Sequence, residues 1–162
     1  MLGFIKKLFG DKSTRDLKEI TPLVEATLSA FSKIDQLSND ELRAKTQELK
    51  NRINAYLQEN LDEIFNLRQR TDEENCTVEE KEEIFEQIDR LEKDLNTKIE
   101  EILLEILPEA FAVVKSTAKR FNDNAEVEVS VMPWDEDLAA KRDSVNIRNG
   151  KAYYANEWMA GG

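Results

Sequence analysis

Two long stretches of regularly spaced apolar residues, separated by a short polar break, constrain this chain more than any other feature. In residues 42–65 and 84–106 the apolar positions recur three and four apart, which places them on one face of a helix. The connection at residues 71–76 is polar and short. The two stripes are therefore predicted to face each other in an antiparallel helical hairpin.

Capping sequences mark where these helices start. Residues 38–41 (SNDE) and 77–80 (TVEE) match the capping box, in which a hydroxyl and a carboxylate satisfy backbone amides of the first turn. Pro108 is predicted to end the second long helix and to open a third that runs to about Phe121, because proline fits a first helical turn. That helix is expected to bury Ala110, Phe111, Val113, Val114 and Ala118.

Apolar residues at the same spacing predict a packed helix between residues 13 and 37. Its stripe comprises Leu17, Ile20, Val24, Leu28, Phe31 and Ile34. Pro22 leaves two readings open, because it either opens a new helix with Thr21 as its cap or kinks a continuous helix.

The period changes after residue 122. Val127, Val129 and Val131 alternate with polar residues, and Asn149-Gly150 joins the segments 144–148 and 151–155 as a tight hairpin turn would. A small antiparallel sheet is predicted, covered by Trp134, Trp158 or the helices. Residues 135–137 (DED) are interpreted as a solvated turn, since they lack the glycine and glutamate of a calcium loop.

These patterns predict a mainly α fold with a small antiparallel β appendage near the C-terminus. At 162 residues the chain is long enough for one ordinary core with additions. We divide it into an amphipathic leader, a helical segment, a helical hairpin, a further helix and the β appendage. The boundaries are 1–12, 13–55, 56–106, 107–121 and 122–162.

Composition excludes several classes of function. Lys and Arg number 23 against 34 Asp and Glu, so the net charge of −11 argues against a nucleic-acid partner. The chain has no histidine and no G-x-x-x-x-G-K-[ST] loop, which excludes Ser-His-Asp triads, His-ligated metals and this mode of nucleotide binding. No catalytic, cofactor-binding or metal-ligating residue is predicted, and the chain alone is not expected to be an enzyme. The single cysteine, Cys76, fits a reducing cytoplasm.

The first ten residues, MLGFIKKLFG, form a basic amphipathic leader. On a helical wheel the apolar residues fall within an arc of about 160°, with both lysines outside it. The leader is too short in its apolar runs and too charged for a cleaved signal peptide. The chain also contains no run of eighteen apolar residues that could span a membrane. The residues expected to contact a membrane or channel are Phe4, Ile5, Lys6, Lys7, Leu8 and Phe9.

Local charge favours membrane contact by this leader over packing against its own domain, which remains the alternative. Residues 1–12 carry three lysines and one aspartate, a net charge of +2 in an acidic protein. Each lysine near an anionic leaflet contributes about 1 kcal/mol, and salt confines the influence of each charge to about 8 Å. The expected association is reversible and lies at the membrane surface.

Several segments resemble the amino-terminal region of the SecA family, the ATP-driven motors of bacterial preprotein export. They are the basic leader followed by Phe9-Gly10, residues 38–46 (SNDELRAKT) and residues 107–115 (LPEAFAVVK). The resemblance covers about residues 1–55 and 107–121. Two separated motifs in the family's order are more specific than any apolar periodicity.

The resemblance implies a parent that binds preproteins and the SecYEG channel and hydrolyses ATP with Mg²⁺ through a phosphate-binding loop beyond residue 162. This fragment would then need no cofactor itself and would supply scaffold and membrane contact at the inner face of the cell membrane. Residues 56–106 and 122–162 depart from compact family members and are interpreted as insertions. A homodimer is left open, and a stand-alone helical adaptor that binds a protein partner through a coiled-coil face is the alternative function.

Overall fold

The structure, a computed structural model, describes residues 12–157 and contains four helices and three strands there. The elements are α1 (Lys12–Ile34), α2 (Asn39–Thr71), α3 (Val78–Asp123), β1 (Glu126–Ser130), α4 (Pro133–Ala139), β2 (Val145–Arg148) and β3 (Lys151–Ala155). The predicted mainly α fold with a small antiparallel sheet near the C-terminus is confirmed. The chain forms two compact units, which we call the hairpin unit (Gln47–Ile106) and the terminal unit (Met1–Thr46 with Leu107–Gly162).

In the hairpin unit, α2 and α3 bury most of the apolar stripes that the sequence predicts. Its buried apolar residues are Leu49, Leu57, Ile64, Ile84, Ile88, Ile102 and Ile106. The prediction is wrong for Leu61 and Phe65, which belong to the predicted stripe of α2 but are exposed. Near the turn, Leu67, Cys76, Leu91 and Leu95 pack against the cluster of Ile64, Ile84 and Ile88. Cys76 is therefore partly buried rather than simply part of a polar break.

Both capping boxes form as predicted. The Ser38 amide donates to Glu41 at 2.7 Å, and the Glu41 amide donates to the Ser38 hydroxyl at 3.2 Å. The Thr77 and Glu80 pair repeats this exchange at 2.9 and 3.2 Å. Each box satisfies amides that have no partner inside the helix, which fixes where α2 and α3 start.

The prediction that Pro108 ends a helix is wrong, because α3 runs through it to Asp123. Pro22 likewise lies inside a continuous α1, which decides between the two readings left open. A proline inside a helix costs about 3 kcal/mol because it removes one backbone hydrogen bond and crowds the preceding turn. The buried residues Ile106 and Ala112 flank Pro108 within α3, and burial of such residues offsets this cost.

The apolar stripe predicted for α1 is buried only at its end. Ile34 is buried and packs with Leu42 and Ala112, whereas the first four stripe residues, Leu17, Ile20, Val24 and Leu28, are exposed. The predicted burial is also wrong for Phe111 and Val114, which are exposed, and for Ala118. The face of α3 that is buried there carries the small residues Ala112 and Ser116, because small side chains permit close helix approach.

The sheet has the order β1-β3-β2, with both pairings antiparallel. Asn149 and Gly150 have φ values of 50° and 73°, as a tight hairpin turn between twisted strands requires, so the predicted turn is confirmed. Ala152, in the central strand β3, is fully buried. Trp134 is half exposed, and Trp158 lies outside the described residues.

The interpretation of residues 135–137 as a solvated turn is wrong. They lie in α4, and Asp135 is fully buried. Its carboxylate accepts a hydrogen bond from the Met132 amide at 2.8 Å, as a residue in the first turn of a helix does. Its other oxygen accepts hydrogen bonds from Arg43 and Tyr154, and these offset the free-energy penalty of burying the charge.

Candidate functional site

The six leader residues predicted to contact a membrane or channel lie outside the described residues. They are Phe4, Ile5, Lys6, Lys7, Leu8 and Phe9. Within the described residues, the arrangement that bears on function is the contact between the two segments that resemble the SecA family, residues 38–46 and 107–121. Both lie in the terminal unit.

Polar side chains of α3 hold the loop between α1 and α2. Arg120 donates to the Leu37 carbonyl at 2.5 Å and to Oδ1 of Asn39 at 2.6 Å. Asp35 accepts from Lys119 at 2.5 Å and from the hydroxyl of the buried Ser116 at 3.1 Å. The hydrogen bond from Lys119 is the largest influence on the pKa of Asp35 and lowers it. The end of one SecA-like segment thus positions the start of the other.

The first turn of α2 also binds β1. Asn39 donates to the Glu128 carbonyl at 2.8 Å. Asp40 accepts from the Ser130 hydroxyl and amide, both at 2.7 Å, and these hydrogen bonds lower the pKa of Asp40. The β appendage is therefore attached directly to the SecA-like segment 38–46.

One turn further along α2, Arg43 reaches a buried polar cluster. Its guanidinium forms an ion pair with Asp135, donates to the Ser130 carbonyl at 3.1 Å and lies 4.9 Å from the centre of the Trp134 ring. The Tyr154 hydroxyl donates to the same Asp135 oxygen that Arg43 contacts. The cluster ties α2, α4 and β3 together through charge-assisted hydrogen bonds, which are the stronger kind.

The pKa values of the two acidic groups in this cluster, Asp135 and Tyr154, shift in opposite directions. Burial alone would raise the pKa of Asp135, but the hydrogen bonds from Arg43, Tyr154 and the Met132 amide outweigh it and lower the value. Burial, together with the Asp135 carboxylate, raises the pKa of Tyr154 to about 12. Both groups therefore keep their usual charge near neutral pH, so the cluster acts as a structural anchor and not as an acid-base pair.

A cavity of about 360 Å³ lies beside this cluster, between the helices and the sheet of the terminal unit. Most of its lining is apolar, including Leu42, Val113 and Phe121. The two guanidiniums in its wall, those of Arg43 and Arg120, already bind protein oxygens. The wall thus presents no free charge that would select an anionic ligand.

Comparison with known proteins matches residues 5–134 to the SecA DEAD-like domain family model. The chain belongs to the SecA family. The resemblance in residues 38–46 and 107–115 is thereby confirmed.

Curated relatives extend the SecA similarity over nearly the whole chain. A protein translocase subunit SecA of Parabacteroides distasonis is 48% identical over 159 residues, which is 98% of this chain and 14% of the relative. The Phocaeicola vulgatus subunit is 47% identical over 160 residues, with the same coverage. The Cytophaga hutchinsonii subunit is 38% identical over 169 residues, covering 100% of this chain and 15% of the relative. No solved structure matches the chain.

These comparisons widen the extent of the SecA resemblance. The sequence motifs indicated it only for about residues 1–55 and 107–121, yet the relatives align with 98% or more of the chain. The segments that form the hairpin and the β appendage here therefore also align in sequence with SecA relatives. The chain spans about one seventh of the length of those relatives.

The printed sequence has no phosphate-binding loop of the G-x-x-x-x-G-K-[ST] type. Between residues 12 and 157, no three His, Cys, Asp or Glu side chains come together as metal ligands. In the same range, no helix has the length and apolar character needed to cross a membrane.

Sequence reasoning did not identify the Arg43 and Asp135 pair. The SecA resemblance drew attention to residues 38–46, and the acidic run at 135–137 was noted, but the two residues are 92 positions apart. No local pattern links them. A proline followed by a tryptophan and a charged run, as in residues 133–137, was the available sign that a short capped helix starts there.

Proposed function

We propose that this chain is the amino-terminal part of an ATP-driven preprotein export motor and contributes scaffold and membrane contact rather than catalysis. The observation that carries the proposal is its similarity to protein translocase SecA subunits over 98% of its length. The contacts between residues 35–46 and 107–121 support a scaffold role, since they join two SecA-like segments into one core.

The leader supplies the membrane contact in this proposal. Its charge of +2 attracts an anionic lipid surface, and Phe4, Ile5, Leu8 and Phe9 supply apolar area for shallow burial. The parent would work at the cytoplasmic face of the membrane, with the SecYEG channel and preproteins as partners. ATP hydrolysis would belong to parts of the parent outside these residues.

Co-sedimentation with liposomes tests the membrane contact. We expect the chain to bind vesicles that contain anionic lipid and the variant Lys6→Glu plus Lys7→Glu to bind several-fold more weakly. The matched control is Lys18→Glu plus Lys33→Glu, which makes the same charge change at exposed positions of α1. Equal binding by the leader variant and the native chain would remove the electrostatic part of the proposal.

The reading frame tests the assignment to a motor. If the frame continues beyond Gly162 into a G-x-x-x-x-G-K-T loop, the full product should hydrolyse ATP and should do so faster with preprotein and channel-containing vesicles. A stop codon directly after Gly162 would favour the stand-alone adaptor instead. The 162-residue chain by itself is expected to show no ATPase activity.

A further inference from the structure

The two sides of the hairpin unit differ in chemistry. Along one side, which we call the polar side, hydrogen bonds join α2 to α3. They connect Arg52 with Glu105 at 2.7 Å, Tyr56 with Glu101 at 3.0 Å and Gln87 with Glu63 at 3.2 Å. Three polar pairs thus cross between the helices on this side.

The opposite side carries aromatic residues from both helices. Leu61, Phe65 and Arg68 are spaced four and three apart, so they form one stripe of α2. Phe85 and Glu92 are seven apart and form one stripe of α3. Because Arg68 Nη2 lies 2.6 Å from Glu92 Oε1, the two stripes meet on the same side of the hairpin. We call the surface formed by Leu61, Phe65 and Phe85 the aromatic side.

The aromatic side is exposed although its neighbours in sequence are buried. Phe65 is 61% exposed and Phe85 54% exposed, whereas Ile64 and Ile84 are buried in the hairpin core. The core is thus complete without the two phenylalanines. Exposed apolar residues that two elements present on one side mark a contact surface more often than isolated ones do.

Charge selects the kind of partner. The hairpin unit has 18 acidic and 8 basic residues, a net charge of −10, so it carries nearly all of the chain's net charge of −11. By helical spacing, Asp72 continues the Phe65 stripe, and Glu82 and Asp89 flank Phe85. All three carboxylates lie on exposed residues, and the one arginine of the Phe65 stripe, Arg68, is already paired with Glu92. This charge repels a second copy of the chain, an anionic lipid surface and nucleic acid, and it attracts a basic segment.

We propose that the aromatic side binds a basic amphipathic helix of a partner protein. The apolar face of that helix packs on Leu61, Phe65 and Phe85. Apolar residues spaced three and four apart on the partner helix would form this face, as when a third helix packs against a helical pair. Lysines or arginines along its edges face the three carboxylates. This surface is distinct from the leader, so it does not depend on the proposed membrane contact.

Titration with a defined peptide tests this surface in the full 162-residue chain. The peptide is a labelled synthetic helix with leucines on one face and lysines on the other, and fluorescence anisotropy reports its binding. We expect Phe65→Ser plus Phe85→Ser to weaken binding about tenfold. In the native chain the peptide would cover the exposed half of each phenylalanine, and the variant loses this apolar burial. Tyr56→Ser, which removes a half-exposed aromatic from the polar side, is expected to leave the affinity unchanged.

The charge requirement has its own matched pair of variants. Asp72→Asn, Glu82→Gln and Asp89→Asn together are expected to weaken binding several-fold. The control removes the same charge from exposed residues of α1 in the terminal unit, with Asp16→Asn, Glu19→Gln and Glu25→Gln. Circular dichroism verifies that each variant keeps its helices, because the altered side chains are exposed and outside the core.

Three results would overturn the proposal. One is equal affinity of the native chain and the double phenylalanine variant, which would show binding without the aromatic side. Another is equal weakening by the two charge-neutralised triples, which would show only attraction to an acidic protein. The third is self-association of the chain that the phenylalanine substitutions abolish, measured by sedimentation, which would make a second copy the occupant.

Discussion

Arg43 of α2 forms an ion pair with Asp135 of α4, and the Asp135 side chain is fully buried. The pair joins a segment that resembles the SecA family to the β appendage. A buried carboxylate is expensive unless hydrogen bonds compensate it, and here three donors do so. The appendage is therefore held to the helices by a contact that tolerates little change.

Asp135→Asn is expected to lower the free energy of unfolding of the terminal unit by about 2–3 kcal/mol, because it leaves Arg43 without its counter-charge in a largely buried position. Denaturant unfolding followed by fluorescence of Trp134, which stacks on Arg43, reports this unit, with Trp158→Phe as the background. Asp137→Asn is the control, since Asp137 is exposed in the same helix. Equal loss of stability in both variants would contradict an anchoring role for Asp135.

Tyr154 makes the terminal unit sensitive to alkaline pH. The tyrosine pKa rises on folding from 10.0 to about 12, so the folded state favours the neutral hydroxyl. The associated stability is fully present below pH 10 and is lost as pH rises towards 12, by up to about 3 kcal/mol for a shift of this size. Denaturation midpoints measured between pH 8 and pH 11 should fall, and Tyr154→Phe should flatten that decline more than Tyr153→Phe does.

Acidic pH is also expected to destabilise this cluster, through protonation of Asp135. The pKa of Asp135 is lowered on folding, so its contribution to stability is complete above its ordinary value of 3.8 and is lost as pH falls through the folded value. The native chain should therefore lose more stability on acidification than Asp135→Asn does. Parallel acid profiles of the two proteins, measured by circular dichroism, would contradict this assignment.

Local signals predicted the elements well, and long-range contacts account for what they missed. Both capping boxes and the Asn149-Gly150 turn depend on neighbouring residues, and the structure contains all of them. Pro108 misled because proline normally ends helices, yet buried residues on both sides keep α3 continuous. The burial of Asp135 depends on Arg43, 92 residues away, which no periodicity reveals.

Pro108 lies inside α3, where a proline destabilises the helix, so its substitution should increase the stability of the protein. Pro108→Ala restores a backbone N–H and removes the clash with the preceding turn, so we expect it to raise the free energy of unfolding by about 1–3 kcal/mol. Pro22→Ala in α1 is the matched comparison, because that proline is also inside a helix but is exposed. A lower stability for Pro108→Ala would mean that its half-buried ring contributes more through packing than it costs.

Asn60 is a buried polar residue in the apolar stripe of α2, between the buried Leu57 and Ile64. Its amide donates to Asp94 at 2.8 Å and accepts from Lys98 at 2.6 Å, so it fixes the position of α3 along α2. A buried polar residue of this kind specifies register at some expense of stability. Asn60→Leu should therefore raise the thermal midpoint of the hairpin unit. It should also make the alignment of α3 along α2 less specific.

The register of the hairpin is measurable through cross-links. Cysteines that replace Arg68 and Glu92 are too far apart for a direct disulfide, because it is the tips of two long side chains that lie 2.6 Å apart, but a short bis-maleimide should join them readily in the Cys76→Ser background. A second pair that joins Arg68 to Asn96, about one helical turn further along α3 than Glu92, should react slowly when Asn60 is present and faster in Asn60→Leu. If the two backgrounds give the same ratio of cross-linking rates, the apolar stripes alone set the register and Asn60 has no specifying role.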